Sequence, residues 1–107
     1  MNIFDLENKD YRIKKLIYQS THRGCKELDI ILGNFASTLV NYNNNLVFNL
    51  LTLSDDLLNS YEMLCNENEW DIYSWISEES AIPDKFQEII NKIKVFNSNI
   101  FKNQKYL

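Results

Sequence analysis

Only two glycines and one proline occur among the 107 residues of this chain. A β-sandwich or barrel of this length needs many tight turns, and those turns depend on glycine and proline. The scarcity therefore favours an all-α fold, and the length fits a single domain. Two glycines are also too few for the glycine-rich loops that bind dinucleotides or nucleotide phosphates.

Apolar residues recur at helical spacing in five segments, which predicts a single-domain five-helix bundle. The helices are predicted at about residues 10–20, at 25–40, from the N-cap Ser54 to Cys65, at 70–76 and around the stripe from Phe86 to Phe96. Residues 1–9 are expected to form a flexible N-terminal segment, residues 10–97 the helical domain and residues 98–107 a C-terminal tail.

The two glycines and a run of asparagines predict a helix end, a close helix contact and a loop. Gly24 is predicted to end the first helix, because glycine adopts the left-handed conformation without penalty. Gly33 lies inside the second helix, where it costs roughly 1 kcal/mol relative to alanine, so a close helix contact is expected there. Asn41–Asn45 is predicted as a loop, and Leu46–Leu53 as a helical turn or short helix.

Charge is distributed unevenly along the chain, whose net charge is −4. Residues 9–26 carry six Lys or Arg and one Asp, a net of +5, whereas residues 55–88 carry ten Asp or Glu and one Lys, a net of −9. General nucleic-acid binding is disfavoured, because binding along phosphates requires a surplus of Lys and Arg. A chain with one basic and one acidic region suits a docking protein that meets one partner in one orientation.

Cysteine and histidine are too few for a metal centre or a disulfide framework. Cys25 and Cys65 match no metal-binding pattern, and His22 is the only histidine, so no metal site is expected. A reducing compartment is the simplest interpretation. The first ten residues do not resemble a secretory signal, and Asp5 and Glu7 disfavour a mitochondrial presequence. No run approaches the ~20 apolar residues that span a bilayer, so a cytoplasmic protein without membrane contact is expected.

The most unusual stretch is Thr21–Asp29, which concentrates polar and charged residues at a junction between two predicted helices. Arg23 and Glu27 lie four residues apart, which predicts a pair along the second helix. Taken alone, such a pair is an ordinary surface ion pair worth under ~1 kcal/mol.

The segment from Tyr11 to Ala36, YRIKKLIYQSTHRGCKELDIILGNFA, strongly resembles the SdhE family of succinate dehydrogenase assembly factors. The hallmark of that family, Arg-Gly-x-x-Glu, is present here as residues 23–27. A second block, residues 61–65 followed by 70–76, is similar to the family's Leu-Leu-Glu…Asp-Leu-Tyr-x-Trp pattern. The resemblance covers roughly residues 11–96, although residues 40–52 look longer than in typical members.

The resemblance implies an assembly factor and not an enzyme. Members of the family dock on the immature flavoprotein subunit of succinate dehydrogenase, or in some bacteria of fumarate reductase. There they assist the covalent attachment of FAD to a histidine of that subunit. The FAD would belong to the client protein, so no cofactor bound by this chain itself is expected. Carried over by position, Arg23, Gly24 and Glu27 form the contact motif.

Chemistry predicts a role for each candidate partner-binding residue. Arg23 suits a bidentate contact to a partner carboxylate or carbonyl, and Gly24 lets two backbones approach where a side chain would clash. Glu27 either orients Arg23 or binds a partner arginine. The other candidates flank this motif, with an ordinary solvated role as the competing interpretation: His22, Arg12, Lys15 and Asp29.

Other functions are compatible with the sequence. The main alternative is a small helical interaction domain that binds another protein or free flavin without flavinylation. A nucleic-acid module would use the basic first helix, but the later helices are neutral or acidic. An oligomerisation domain would need an apolar stripe left exposed after the bundle closes. Trp70, Tyr73 and Trp75 resemble a cofactor-stacking cluster, but aromatic residues at helical spacing more often belong to the core, and only Trp70 is expected to be partly exposed.

Overall fold

Helix α1 spans Ile3–Thr21 in the computed structural model, which describes the backbone of residues 3–104 and the side chains of residues 9–98. It begins well before the predicted start at residue 10, because no glycine or proline interrupts this segment. The boundary predicted between residues 9 and 10 therefore lies inside a helix, and the flexibility of residues 1–9 stays a prediction.

Helix α2 spans Lys26–Ser37 and is followed by a β-hairpin that the sequence analysis missed. Strands β1 (Leu39–Tyr42) and β2 (Asn45–Phe48) pair antiparallel. Asn43 and Asn44 join them with φ values of 52° and 67°. Two successive positive φ values suit the two-residue turn whose twist matches the strands, and asparagine tolerates this conformation better than most residues.

The hairpin corrects two predicted elements. The second helix ends at Ser37 and not near Val40, and residues 46–48, predicted as helical, form β2. A short 3₁₀ helix follows at Asn49–Thr52. The backbone N–H of Asn49 donates to the carbonyl of Thr38 over 2.9 Å, which continues the hydrogen bonding of the hairpin to the end of α2.

Three further helices complete the fold: α3 (Asp55–Cys65), α4 (Glu69–Ile76) and α5 (Gln87–Gln104), the last preceded by a 3₁₀ turn at Asp84–Phe86. Ser54 caps α3 as predicted, because its hydroxyl accepts the backbone N–H of Leu57. Asn68 caps α4 in the same way. Helix α5 passes through residue 97, so the predicted boundary of the C-terminal tail lies within a helix. Asn97, the last residue of the predicted helical domain, is buried and donates to the carbonyls of Ile31 and Ile93.

The five helices pack around one hydrophobic core, which confirms the predicted all-α, single-domain five-helix bundle with the small hairpin as an addition. Among the side chains of residues 9–98, seventeen are buried in this core: Ile13, Leu16, Leu28, Leu32, Phe35, Ala36, Leu50, Leu58, Tyr61, Leu64, Cys65, Ile72, Trp75, Phe86, Ile89, Ile90 and Ile93. Gly33 lies where α2 passes the end of α1, and a Cβ atom there would lie 2.9 Å from the Thr21 methyl group. The close contact predicted at this glycine is therefore present. No helix in the described part of the chain is long and apolar enough to cross a membrane.

The burial of Cys65 predicts that stability falls at alkaline pH. Burial raises the pKa of the Cys65 thiol from 9.0 to about 11, although the nearby charge of Arg23 opposes this shift. The unfolded thiol therefore loses its proton first, so the folded chain binds more protons between pH 9 and 11. The free energy of unfolding should fall across that interval by about 3 kcal/mol. Burial also raises the pKa of the neighbouring Tyr61 hydroxyl, which contributes with the same sign at higher pH.

Urea unfolding at pH 7.5, 9 and 10.5 measures this dependence in the wild type and in Cys65→Ala. The alanine variant should lose less stability between pH 9 and 10.5 than the wild type, because its site no longer titrates. Equal losses in the two proteins would show that Cys65 does not carry the effect.

Candidate functional site

The turn between α1 and α2 displays Gly24 on the surface in a conformation that favours glycine. Its φ is +85°, in the left-handed region where other residues are strained. A Cβ atom built on Gly24 would meet nothing within 4 Å. The conformation thus explains why glycine stands here, and the open space leaves the backbone accessible to an approaching molecule.

Arg23 points into the bundle instead of into solvent, and only 6% of its side chain is exposed. Its two terminal nitrogens donate to the carbonyls of Cys65 and Glu67 over 2.8 and 2.7 Å, and the second also pairs with the Glu69 carboxylate at 3.1 Å. These groups end α3 and begin α4. Arg23 therefore satisfies carbonyls that a helix end leaves without partners and ties the α3–α4 connection to the α1–α2 turn.

The predicted pair between Arg23 and Glu27 does not form, since every hydrogen bond of the Arg23 guanidinium goes to the α3–α4 connection. The physical reason is that Arg23 precedes α2, which begins at Lys26, so the i, i+4 spacing of a helix does not apply to it. Glu27 is exposed, and among residues 9–98 its carboxylate accepts only a weak contact from the Cys25 thiol at 3.6 Å. Asp29 instead holds the turn, because its carboxylate accepts the backbone N–H of Arg23 at 2.8 Å.

Of the remaining candidates, Arg12 and Lys15 lie on α1, and His22 directly follows the last residue of that helix. His22 stacks on Tyr18, with ring centroids 4.0 Å apart, and its Nδ1 donates to the Tyr18 carbonyl at 2.9 Å. Arg12 bridges to α3, where it pairs with Glu62 at 2.9 Å. Lys15 is exposed. Arg12 is thus engaged within the fold, and Lys15 and His22 face solvent.

A surface groove of about 620 Å³ joins the motif to α4. It is lined by Arg23, Gly24, Cys25, Lys26 and Glu27 on one side and by Glu69, Trp70 and Tyr73 on the other. The structure therefore brings together the three motif residues Arg23, Gly24 and Glu27, whereas the other four candidates do not line the groove.

Trp70 lines the groove, although the sequence analysis did not name it among the partner-binding candidates. It is 86% exposed, whereas Trp75 belongs to the core as expected. The buried face of α4 is formed by Ile72 and Trp75, with Ile76 half-buried beside them. Two residues before Ile72, Trp70 lies about 200° around the helix from it. That offset was available in the sequence as a signal of exposure.

Comparison with known proteins finds relatives that are identical to this chain at about a third of the aligned positions. Succinate dehydrogenase assembly factor 2, mitochondrial, is 33% identical over 98 residues in Candida glabrata, 34% over 96 residues in Danio rerio and 32% over 98 residues in Saccharomyces cerevisiae. Each match covers 87% of this chain and 58%, 54% and 54% of the respective relative. The chain therefore spans little more than half the length of these relatives.

The names of these relatives correct the predicted location. Each of them includes the word mitochondrial, which contradicts the expectation of a cytoplasmic protein. The argument against a mitochondrial presequence relied on the acidic residues Asp5 and Glu7. It therefore applies only to the first ten residues of the given sequence. The relatives point to the mitochondrion.

A family model described as flavinator of succinate dehydrogenase matches residues 14–97. The matched range includes the Arg23–Glu27 turn, the whole groove and the segments that supply nearly all of the core. It agrees with the resemblance carried by the Arg-Gly-x-x-Glu motif and by the second block at residues 61–76. The chain therefore belongs to the family of succinate dehydrogenase flavinators.

Proposed function

We propose that this chain is an assembly factor that docks on the flavoprotein subunit of succinate dehydrogenase and promotes covalent attachment of FAD to a histidine of that subunit. The observation that carries the proposal is the family match over residues 14–97. The names of the relatives, which are succinate dehydrogenase assembly factors, support it further. The FAD belongs to the client, and the chain itself holds no cofactor.

The groove and its turn form the docking surface, and each motif residue has a distinct part in it. Gly24 lets the client backbone approach closely, since its surroundings are open and it carries no side chain. Glu27 offers an exposed carboxylate for a positive group of the client. Arg23 acts indirectly. Its hydrogen bonds hold the α3–α4 connection against the turn and so fix the position of the two sides of the groove relative to each other.

The chain then promotes formation of the bond by positioning the reacting groups of the client. A factor that binds one arrangement of the client more tightly than others raises the population of that arrangement, and correct placement of reacting groups lowers the barrier to bond formation. The chain supplies binding surface and not a reacting group. Lys15 on α1 and His22 after the end of that helix add positive charge or hydrogen-bond donors that steer an acidic client surface.

Co-expression tests the proposal. The matching succinate dehydrogenase flavoprotein subunit is expressed with and without the chain, and covalent flavin is read by fluorescence of the denatured subunit in a gel. Covalent flavin should rise with the chain present, and the chain purified alone should be colourless. The fumarate reductase flavoprotein, run in parallel, defines the client. No rise with either subunit would contradict the proposal, and a yellow chain would favour a flavin-binding protein.

A further inference from the structure

The indole of Trp70 is the most exposed large apolar side chain in the described part of the molecule, at 86%. A single exposed apolar residue is ordinary on a protein surface. Trp70 differs because it lines the same groove as the Arg23–Glu27 motif. Tryptophan is also among the residues that most often carry the binding energy of an interface.

The support beneath Trp70 is rigid. The preceding residue, Glu69, pairs with the buried guanidinium of Arg23 at 3.1 Å, and the same guanidinium holds the carbonyl of Glu67. Asn68 caps the helix by accepting the backbone N–H of Asp71 at 2.9 Å. The backbone that carries Trp70 is therefore fixed in relation to the motif turn before a partner arrives, which lowers the entropy lost on binding.

The charges of the groove select the chemistry of the occupant. Glu69 is neutralised by Arg23, whereas the exposed Glu27 carboxylate has no cationic partner among residues 9–98. The Lys26 side chain is exposed, and its long flexible aliphatic part lets the ammonium group extend into water. An aromatic face and an unneutralised carboxylate along one groove suit a guanidinium group, which stacks on indole rings and bonds carboxylates through its planar edge.

We propose that Trp70 and Glu27 together bind one arginine side chain of the client flavoprotein, the guanidinium stacking on the indole and donating to the carboxylate. This inference rests on the proposed function, because the client is the source of the arginine. It adds to the Arg-Gly-x-x-Glu motif a contact residue that lies outside it in sequence, on α4.

Affinity for the purified flavoprotein subunit, measured by calorimetry, tests the contact. Trp70→Leu should weaken binding at least about ten-fold, whereas Trp70→Phe should bind more tightly than Trp70→Leu because it keeps an aromatic face. Glu27→Gln should weaken binding as well. The double variant Trp70→Leu/Glu27→Gln should lose less than the product of the two single losses, since both residues hold one side chain. Leu46→Ala, at an exposed site on the hairpin, is the matched control and should bind like the wild type.

Each outcome decides the inference. Circular dichroism should show that all variants remain folded, because the substituted side chains lie on the surface. Equal losses for Trp70→Phe and Trp70→Leu would indicate an apolar occupant and overturn the arginine. Strictly multiplicative losses would indicate two separate contacts, and Trp70→Leu binding like the wild type would remove Trp70 from the interface. A wild-type chain that does not bind the subunit would contradict the proposed function itself.

Discussion

Replacing Arg23 by alanine is expected to lower the free energy of unfolding by about 3 kcal/mol, because two hydrogen bonds from a charged donor are lost and each contributes about 1.5–3 kcal/mol. The change leaves the carbonyls of Cys65 and Glu67 without their donors and the Glu69 carboxylate without its cation. For a domain of this size the loss corresponds to a decrease in Tm of about 10 °C or more. Thermal unfolding followed by circular dichroism measures it.

Lys15→Ala is the matched control, because it also removes one positive charge, from an exposed position on α1. Its stability should stay within about 0.5 kcal/mol of the wild type. An Arg23→Ala variant that unfolds within 2 or 3 °C (about 0.5 kcal/mol) of the wild type would contradict the structural role of Arg23. Any loss of client binding in this variant would then have to come from a direct client contact.

Replacing Gly24 by arginine is expected to abolish client binding while the bundle stays folded. The left-handed φ of +85° makes any side chain at this position strained by about 1–2 kcal/mol, but the open space around the Cβ position means that nothing in the chain is displaced. The bulky side chain instead occupies the surface that the client backbone approaches. Calorimetric titration of the flavoprotein measures the lost affinity, and thermal unfolding measures the retained fold.

Gly24→Ala separates the two consequences of the substitution. It carries the same backbone strain as the arginine variant without its bulk, so its Tm should be similar and its affinity for the client higher. If Gly24→Arg unfolds the bundle, the glycine serves the fold and the docking assignment fails.

The helices were largely predictable because their signals are local. The buried stripe of α5 and the capping serine of α3 are visible within a few residues of sequence, and both are confirmed. The hairpin was missed because its turn consists of two asparagines without glycine, and asparagine indicates a loop more strongly than a particular turn.

The motif turn was predictable as a local feature of the sequence, but the contacts that its residues make were not. The role of Arg23 depends on carbonyls 42 and 44 residues away, and no spacing rule connects positions that far apart. For the same reason the sequence did not connect Trp70 with the motif, since the two meet only when α4 packs beside the α1–α2 turn. The position of Gly24 in a turn, by contrast, could be predicted from the motif and from the conformational freedom of glycine.

The most direct test of the account is the covalent flavin of the client in three parallel co-expressions: with the wild-type chain, with Gly24→Arg and without the chain. In-gel flavin fluorescence of the denatured flavoprotein subunit gives the result. Strong flavin fluorescence is expected with the wild-type chain alone. The co-expression with Gly24→Arg and the one without the chain should give equally weak fluorescence, although Gly24→Arg is present as a folded protein. Equal fluorescence in all three would contradict both the flavinylation role and the part assigned to the Arg23–Glu27 turn.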